Sequence, residues 1–191
     1  MESKANAVDK MECSIEAQRN LALGLLIGTT WDFECYDKHG NFKWEDRNRP
    51  NIITHEGLDF LLNVMFHGTA AVATWYCFPV ETDTAAAATM TYATPGFTES
   101  TAYDEANRIA FNEAAASGQS ITNSANKAAF TVSSTKTFYG GALVGGGTDG
   151  NTKGDTAGGG TLMAYSKFSS SKAVEDGDTF KITITITVAH A

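Results

Sequence analysis

The sequence predicts a mainly β protein: an antiparallel β-sandwich of jelly-roll or Ig-like type, with one short helix and an N-terminal arm. Three observations predict it. Phe180, Ile182, Ile184, Ile186 and Val188 alternate with Lys181, Thr183, Thr185 and Thr187, the period of two of a strand with one buried face. After residue 68, short β-prone runs are separated by Gly, Pro, Asn and Asp, which is the punctuation of a sandwich. A single strong helical pattern cannot supply the repeated crossovers of a parallel sheet.

Residues 1–28 are expected to form the arm, and residues 29–191 the β-domain. Met11 to Leu26 is rich in helix formers, and its apolar positions fall loosely on one face, as in a short helix on an extended arm. Leu21, Leu23, Leu25, Leu26 and Ile27 are more apolar than a solvated tail carries without a surface to cover, so they are the candidate contact residues. Trp31, Phe33 and Cys35 then alternate with Asp32 and Glu34. Asp37-Lys-His-Gly-Asn41 supplies a turn, and Phe42 and Trp44 resume the alternation, which reads as a β-hairpin. Trp31 and Phe33 on one strand, and Phe42 and Trp44 on the other, follow the alternation of the hairpin and are expected on one wall of the core.

The helix is expected at about residues 54–67. Thr54 is its N-cap, Glu56 lies in its first turn, and Gly68 is its stop. Leu58, Leu61, Leu62, Met65 and Phe66 recur at three- and four-residue spacing. Strands follow at Val72–Phe78, Arg108–Phe111, Ala128–Val132 and Leu162–Phe168, with a pair at 137–144 interrupted by Gly140-Gly141. The Ala/Thr/Gly stretch 82–96 reads as a long loop.

Length and composition agree. The chain has 191 residues, enough to bury a substantial core. Fourteen Lys and Arg against 22 Asp and Glu give a net charge of −8, which disfavours nucleic acid as a partner. Charged residues make up only 19%, and 27 Ala, 24 Thr and 18 Gly take their place. The longest apolar run, Leu21–Gly28, is far short of the roughly 20 residues a membrane helix needs, so no membrane partner is expected. It lies behind Glu2, Asp9, Glu12 and Glu16 with no small-x-small site after it, unlike a signal peptide. Cys13, Cys35 and Cys77 are odd in number and lack CxxC spacing, as expected of thiols in a reducing cytosol.

The chemical motifs fail one by one. Gly140–Gly160 holds ten glycines, but Lys153 is followed by Gly154 and not by Ser or Thr, so it is no phosphate loop and reads as a flexible surface loop. Asp149-Gly-Asn-Thr-Lys-Gly154 begins like a calcium loop. Lys153 at position 5 and Gly160 at position 12 exclude an EF-hand. His39, His55, His67 and His190 form no HExxH. Cys77 with His55 is the one nucleophile–base pairing worth posing, although Cys77 sits among strand aromatics. Asp104/Glu105 and Asp176/Asp178 lie in turn-like contexts and are expected to be solvated. Trp31, Trp44, Trp75, Tyr76 and Phe78 are the residues a sugar-stacking platform would use. No catalytic residue, metal or cofactor emerges.

The series Trp31–Trp44, Asn51-Ile-Ile-Thr-His-Glu-Gly-Leu-Asp-Phe-Leu-Leu62 and Thr74-Trp-Tyr76 resembles a group of small virion proteins of tailed bacteriophages. So do Ala102–Arg108, Ser120–Phe130 and Val174–Phe180, and the likeness spans roughly residues 30–191. The resemblance implies capsid decoration (a cement protein) bound to the major capsid protein, homo-oligomerisation, and a place in the virion after assembly in the host cytoplasm. Its alternative is a tail, fibre or head–tail attachment module touching host surface glycan. It implies no catalytic residue, and the arm lies outside it.

Overall fold

A computed structural model describes residues 25–190, and among them are ten strands and one helix in two antiparallel sheets. Sheet A has the order β2(Phe42–Arg49), β1(Leu25–Tyr36), β10(Thr179–His190), β6(Ser120–Thr122), with β7(Ala128–Thr131) also pairing with β10. Sheet B has the order β3(Asn51–Ile53), β9(Thr161–Val174), β8(Lys136–Gly145), β4(Trp75–Val80), β5(Ile109–Ala110). The sheets pack face to face, so the mainly β sandwich expected from the sequence is what forms.

The alternation of β1 and β10 dictates the main core. Their register sets Trp31 opposite Ile184, Phe33 opposite Ile182 and Cys35 opposite Phe180, all on the inner face. These side chains are fully buried and meet Phe138, Leu143 and Phe168 of sheet B. Phe33 and Phe168 approach edge to face at 4.6 Å.

Sheet B is buried on both sides. Cys77 and Leu143 face the inner core. Phe78, Ala142, Val144 and Tyr165 face outward into a second apolar cluster with Met90, Tyr92 and Phe97. The connection between β4 and β5 supplies that cover. The Ala/Thr-rich loop is therefore a third layer.

The helix α1(His55–Phe66) forms as its caps dictate. The Thr54 hydroxyl accepts from the Gly57 N–H at 3.0 Å, and Gly68 turns the chain away at φ +75°. Its first turn is bound to sheet B. Thr54 N–H donates to Met163 O at 3.0 Å, and the Thr54 hydroxyl donates to Leu162 O. Glu56 accepts from the N–H groups of Tyr92 and Leu162 at 2.8 and 2.6 Å.

Several expectations change. The domain begins before residue 29, because Leu25–Gly28 already pair with Thr187–His190 of β10. Most of the helix expected over Met11–Leu26 lies outside the described residues, and Leu25 and Leu26 are strand. β8 runs unbroken through Gly140-Gly141. Those glycines allow close packing: a Cβ at Gly140 would lie 2.3 Å from Ser166 O. Phe42 is not core. A register shift between Cys35 and Tyr36 sets Phe42 opposite Tyr36 on the outer face, 56% exposed. Pro79 does not end β4. It pairs opposite Gly141 at a place where β5 no longer flanks the strand. β3 and β6 were not anticipated.

Candidate functional site

Two places in the molecule have the look of a site. The first lies on the outer side of sheet B, where a cavity of about 190 Å³ is lined by Tyr92, Glu99, Arg108 and Asp155 among apolar neighbours. Arg108 is buried, and every N–H of its guanidinium is used. Nε and Nη2 fork onto Glu99, with Nη2–Oε2 at 2.6 Å. Nη1 donates to the Tyr92 hydroxyl and to Gly150 O, each at 3.0 Å, and Nη2 donates to Asp155 O at 2.7 Å. The plane of the group lies over Phe78 at 4.7 Å. Glu99 also accepts from the Gly154 N–H at 3.0 Å.

Five donors in a planar fork are here shared between one carboxylate, one phenol and two carbonyls. No donor is left to turn toward a ligand. Burial pushes the Glu99 carboxyl above its ordinary range, with Arg108 and Gly154 working against that shift. The cluster is a clamp that ties the β4–β5 cover to the Gly-rich loop. Gly146–Gly160 is accordingly pinned, where a flexible loop was expected: Arg108 holds two of its carbonyls. Lys153 also donates to Tyr103 O at 2.5 Å and lies over the Tyr103 ring.

The sequence reading passed over Arg108, Glu99 and Tyr92. One signal was present: Arg108 is the only Lys or Arg between Arg49 and Lys127. It is a lone cation in a stretch whose other charged residues are all acidic, with Glu99, Asp104, Glu105 and Glu113 the nearest in sequence.

The residues that were posed as chemistry are kept apart. Cys77 is fully buried, and burial alone pushes its thiol far above the ordinary cysteine value, while His55 is exposed at the start of α1. Cys35 is raised to about 12 by burial and by Asp178 beside it. Asp178 is not solvated as expected. It accepts from Lys43 and from the Glu175 N–H, each at 2.7 Å, and closes the turn before β10. The ring platform does not assemble, because Trp31 and Phe78 are in different apolar clusters on either side of sheet B. Among the described residues, no three His, Cys, Asp or Glu side chains gather as a metal set, and no helix is long and apolar enough to cross a membrane.

The second place is the end of the sandwich that carries α1. The helical stripe read from the sequence is split. Phe60 and Leu61 pack on the core, whereas Leu62, Met65 and Phe66 are 58, 70 and 82% exposed. Val188, on the inner face near the end of β10, adds to the uncovered apolar surface, whereas Leu26 is exposed on the opposite, outer face of sheet A. Of the candidate contact residues, Leu21 and Leu23 lie outside the described residues. Leu25 begins β1, Leu26 is on its exposed face, and Ile27 lines an apolar groove beside α1. Sequence periodicity marked the helical residues as apolar but could not say which of them faced out.

No protein-family model matches this chain, and no curated protein sequence matches it.

Proposed function

We propose that the chain is a non-enzymatic virion protein of a tailed bacteriophage, a decoration or cement protein that stabilises the outer head shell by binding the major capsid protein. The observation that carries this reading is the exposed apolar surface of α1, Leu62, Met65 and Phe66, at the end of the sandwich where the inner-face Val188 is also uncovered. Exposed apolar patches of this kind mark contact surfaces. The sequence resemblance over residues 30–191 supplies the kind of partner. The internal use of the buried polar groups fits a protein whose work is contact, since Arg108, Glu99 and Asp178 are each committed to holding loops. Repetition over a symmetric shell lets a modest contact suffice at each site. Self-association of the β-domain on the shell belongs to the same proposal, as does assembly in the host cytoplasm.

The test is the stoichiometry and position of this chain in an intact particle. Hundreds of copies on the head support decoration. A small multiple of three or six at the tail overturns it in favour of an attachment module, with the exposed Phe42 and the half-buried Tyr36 beside it the rings to examine for glycan contact. Deletion of residues 1–24, which stops short of β1, is expected to abolish shell occupancy while the domain stays folded. Unchanged occupancy removes the arm from the proposal.

A further inference from the structure

β1 is longer than the strand that covers one of its edges. β10 pairs with it from Leu25 to Tyr36, but β2 pairs with it only from Trp31 to Tyr36. Past the pair Trp31–Arg49, Pro50 leads the chain to β3, which belongs to sheet B. Among the described residues, the first half of β1 therefore has a strand on one side only.

The ladder tells which main-chain groups are left unmade there. The Val188 N–H donates to Gln119 O at 2.9 Å, and the Ile184 N–H donates to the Asn123 side chain at 2.8 Å. Ile184 O accepts from the Asn123 N–H at 3.4 Å. Even-numbered residues of β10 thus turn their main-chain groups away from β1. Antiparallel pairs alternate, so Ile27–Val188 and Thr29–Ile186 are pairs without mutual hydrogen bonds. The N–H and C=O of Ile27 and Thr29 point to the open edge, where no described strand meets them.

This edge also lacks the usual protection. Exposed edges are blunted by charge, Pro, bulges or shortness. The edge strand β2 carries Lys43, Glu45 and Arg47 and is bulged against β1, and β3, β5, β6 and β7 have only two to four residues. Leu25-Leu-Ile-Gly-Thr-Thr30 has no charge, no Pro and an unbroken register with β10. A strand laid beside it would direct the side chains opposite Ile27 and Thr29 to the inner face of sheet A. On that face lies an apolar groove of about 220 Å³, lined by Ile27, Thr29, Ile53, Phe60, Met65 and Ile186 among others.

We propose that the open edge of β1 receives an extended strand from another protein, apolar at the two alternate positions that face inward. Bonds to the main chain of Ile27 and Thr29 hold the strand, and the groove selects its side chains, the two components of recognition by strand addition. A second copy of this chain is the poorer occupant. The two-fold register that pairs Ile27 with Thr29 sets Leu25 of each copy opposite Trp31 of the other, the place Arg49 already holds. The inference stands independently of the virion reading. If both hold, the strand comes from a neighbour in the shell.

The test is amide exchange on the full chain at micromolar concentration, with and without the capped peptide Lys-Thr-Ile-Thr-Val-Thr-Lys at millimolar concentration. In the free chain, Gly28 and Thr30 bond to Thr187 and Thr185 and are expected to be protected, while Ile27 and Thr29 exchange many-fold faster. The peptide is expected to slow Ile27 and Thr29 several-fold. The same peptide N-methylated at Ile and Val keeps the side chains and loses the donors, and is expected to have no effect. The version with Lys in place of Ile and Val keeps the donors and loses the apolar side chains, with the same expectation. Ile27 and Thr29 already protected in the free monomer would mean that the chain covers its own edge, and would overturn the proposal. Protection that grows with protein concentration alone would assign the edge to a second copy and also overturn it, as would no slowing by the peptide or equal slowing by either control.

Discussion

Arg108 and Glu99 meet at 2.6 Å with almost no solvent access to either side chain, and they are the only oppositely charged pair among the described residues buried to that degree on both sides. Nine residues of sequence separate them, yet the pair also reaches Tyr92, Gly150, Gly154 and Asp155, so one guanidinium fixes two long loops. Removing one partner of such a pair leaves an uncompensated buried charge, at a cost of about 3–5 kcal/mol. Arg108→Ala is expected to cost that much in urea unfolding at pH 7. Arg108→Lys is expected to recover only part of it, because an ammonium cannot fork.

The same site predicts a pH dependence for the variant. Burial already raises the Glu99 carboxyl, and without Arg108 the shift grows. A carboxyl with a raised native pKa contributes its stability when protonated and loses it as pH rises through that value. Arg108→Ala is therefore expected to regain stability relative to the native chain as pH falls from 7 toward about 4.5. A deficit independent of pH over that range would mean that lost packing over Phe78, rather than charge, dominates.

Glu34 has the opposite sign. It is buried on the outer face of sheet A, which by itself raises its pKa. Lys127 at 2.7 Å, the Tyr36 hydroxyl at 3.1 Å and Arg47 at 3.2 Å outweigh burial and hold the carboxyl below its ordinary value. Its contribution is present above the unfolded-state pKa of about 4.3 and lost as pH falls through the lower native value. Acid unfolding of the native chain is expected to steepen there. Lys127→Met is expected to flatten that slope and cost about 1–2 kcal/mol at pH 7, at the low end for a charged hydrogen bond because Lys127 is partly exposed.

Gly57 sets two effects against each other. In an open helix Gly→Ala stabilises by about 1 kcal/mol. Here a Cβ would stand 2.7 Å from Met163 O, a backbone atom of β9 that cannot swing away. The clash wins, because the Thr54 and Glu56 bonds hold the first turn of α1 against that strand. Gly57→Ala is expected to destabilise by about 1–3 kcal/mol in thermal or urea unfolding.

What the sequence revealed follows from which features are local. β10 was legible because nine residues alternate without a break, and the helix was legible because Thr54 and Gly68 are caps whose chemistry needs no distant partner. β3 and β6 were not, since three-residue strands carry no period and exist by pairing with β9 and β10. Gly140-Gly141 read as an interruption because the same residue that breaks a strand also permits a close approach, here to Ser166 and Phe33. A bulge moved Phe42 off the core wall, and no alternation pattern encodes a bulge of that kind. The Arg108 clamp joins segments 9 to 47 residues apart, so only its standing as the lone Lys or Arg between Arg49 and Lys127 hinted at it.

The exposed end separates stability from function. Phe66 is 82% exposed and Leu62 58%, and neither packs against the core. Surface substitutions away from special features change stability by no more than about 0.5 kcal/mol. Leu62→Ser/Phe66→Ser is thus expected to leave the unfolding midpoint within about that margin. It removes two large apolar side chains from the proposed docking face, each worth about 1.5–3 kcal/mol if fully buried in the contact. Even half of that burial predicts at least a tenfold weaker association with purified shells, read by co-sedimentation against the native chain. A variant that is as stable as the native chain and binds shells as well would show that α1 faces away from the capsid.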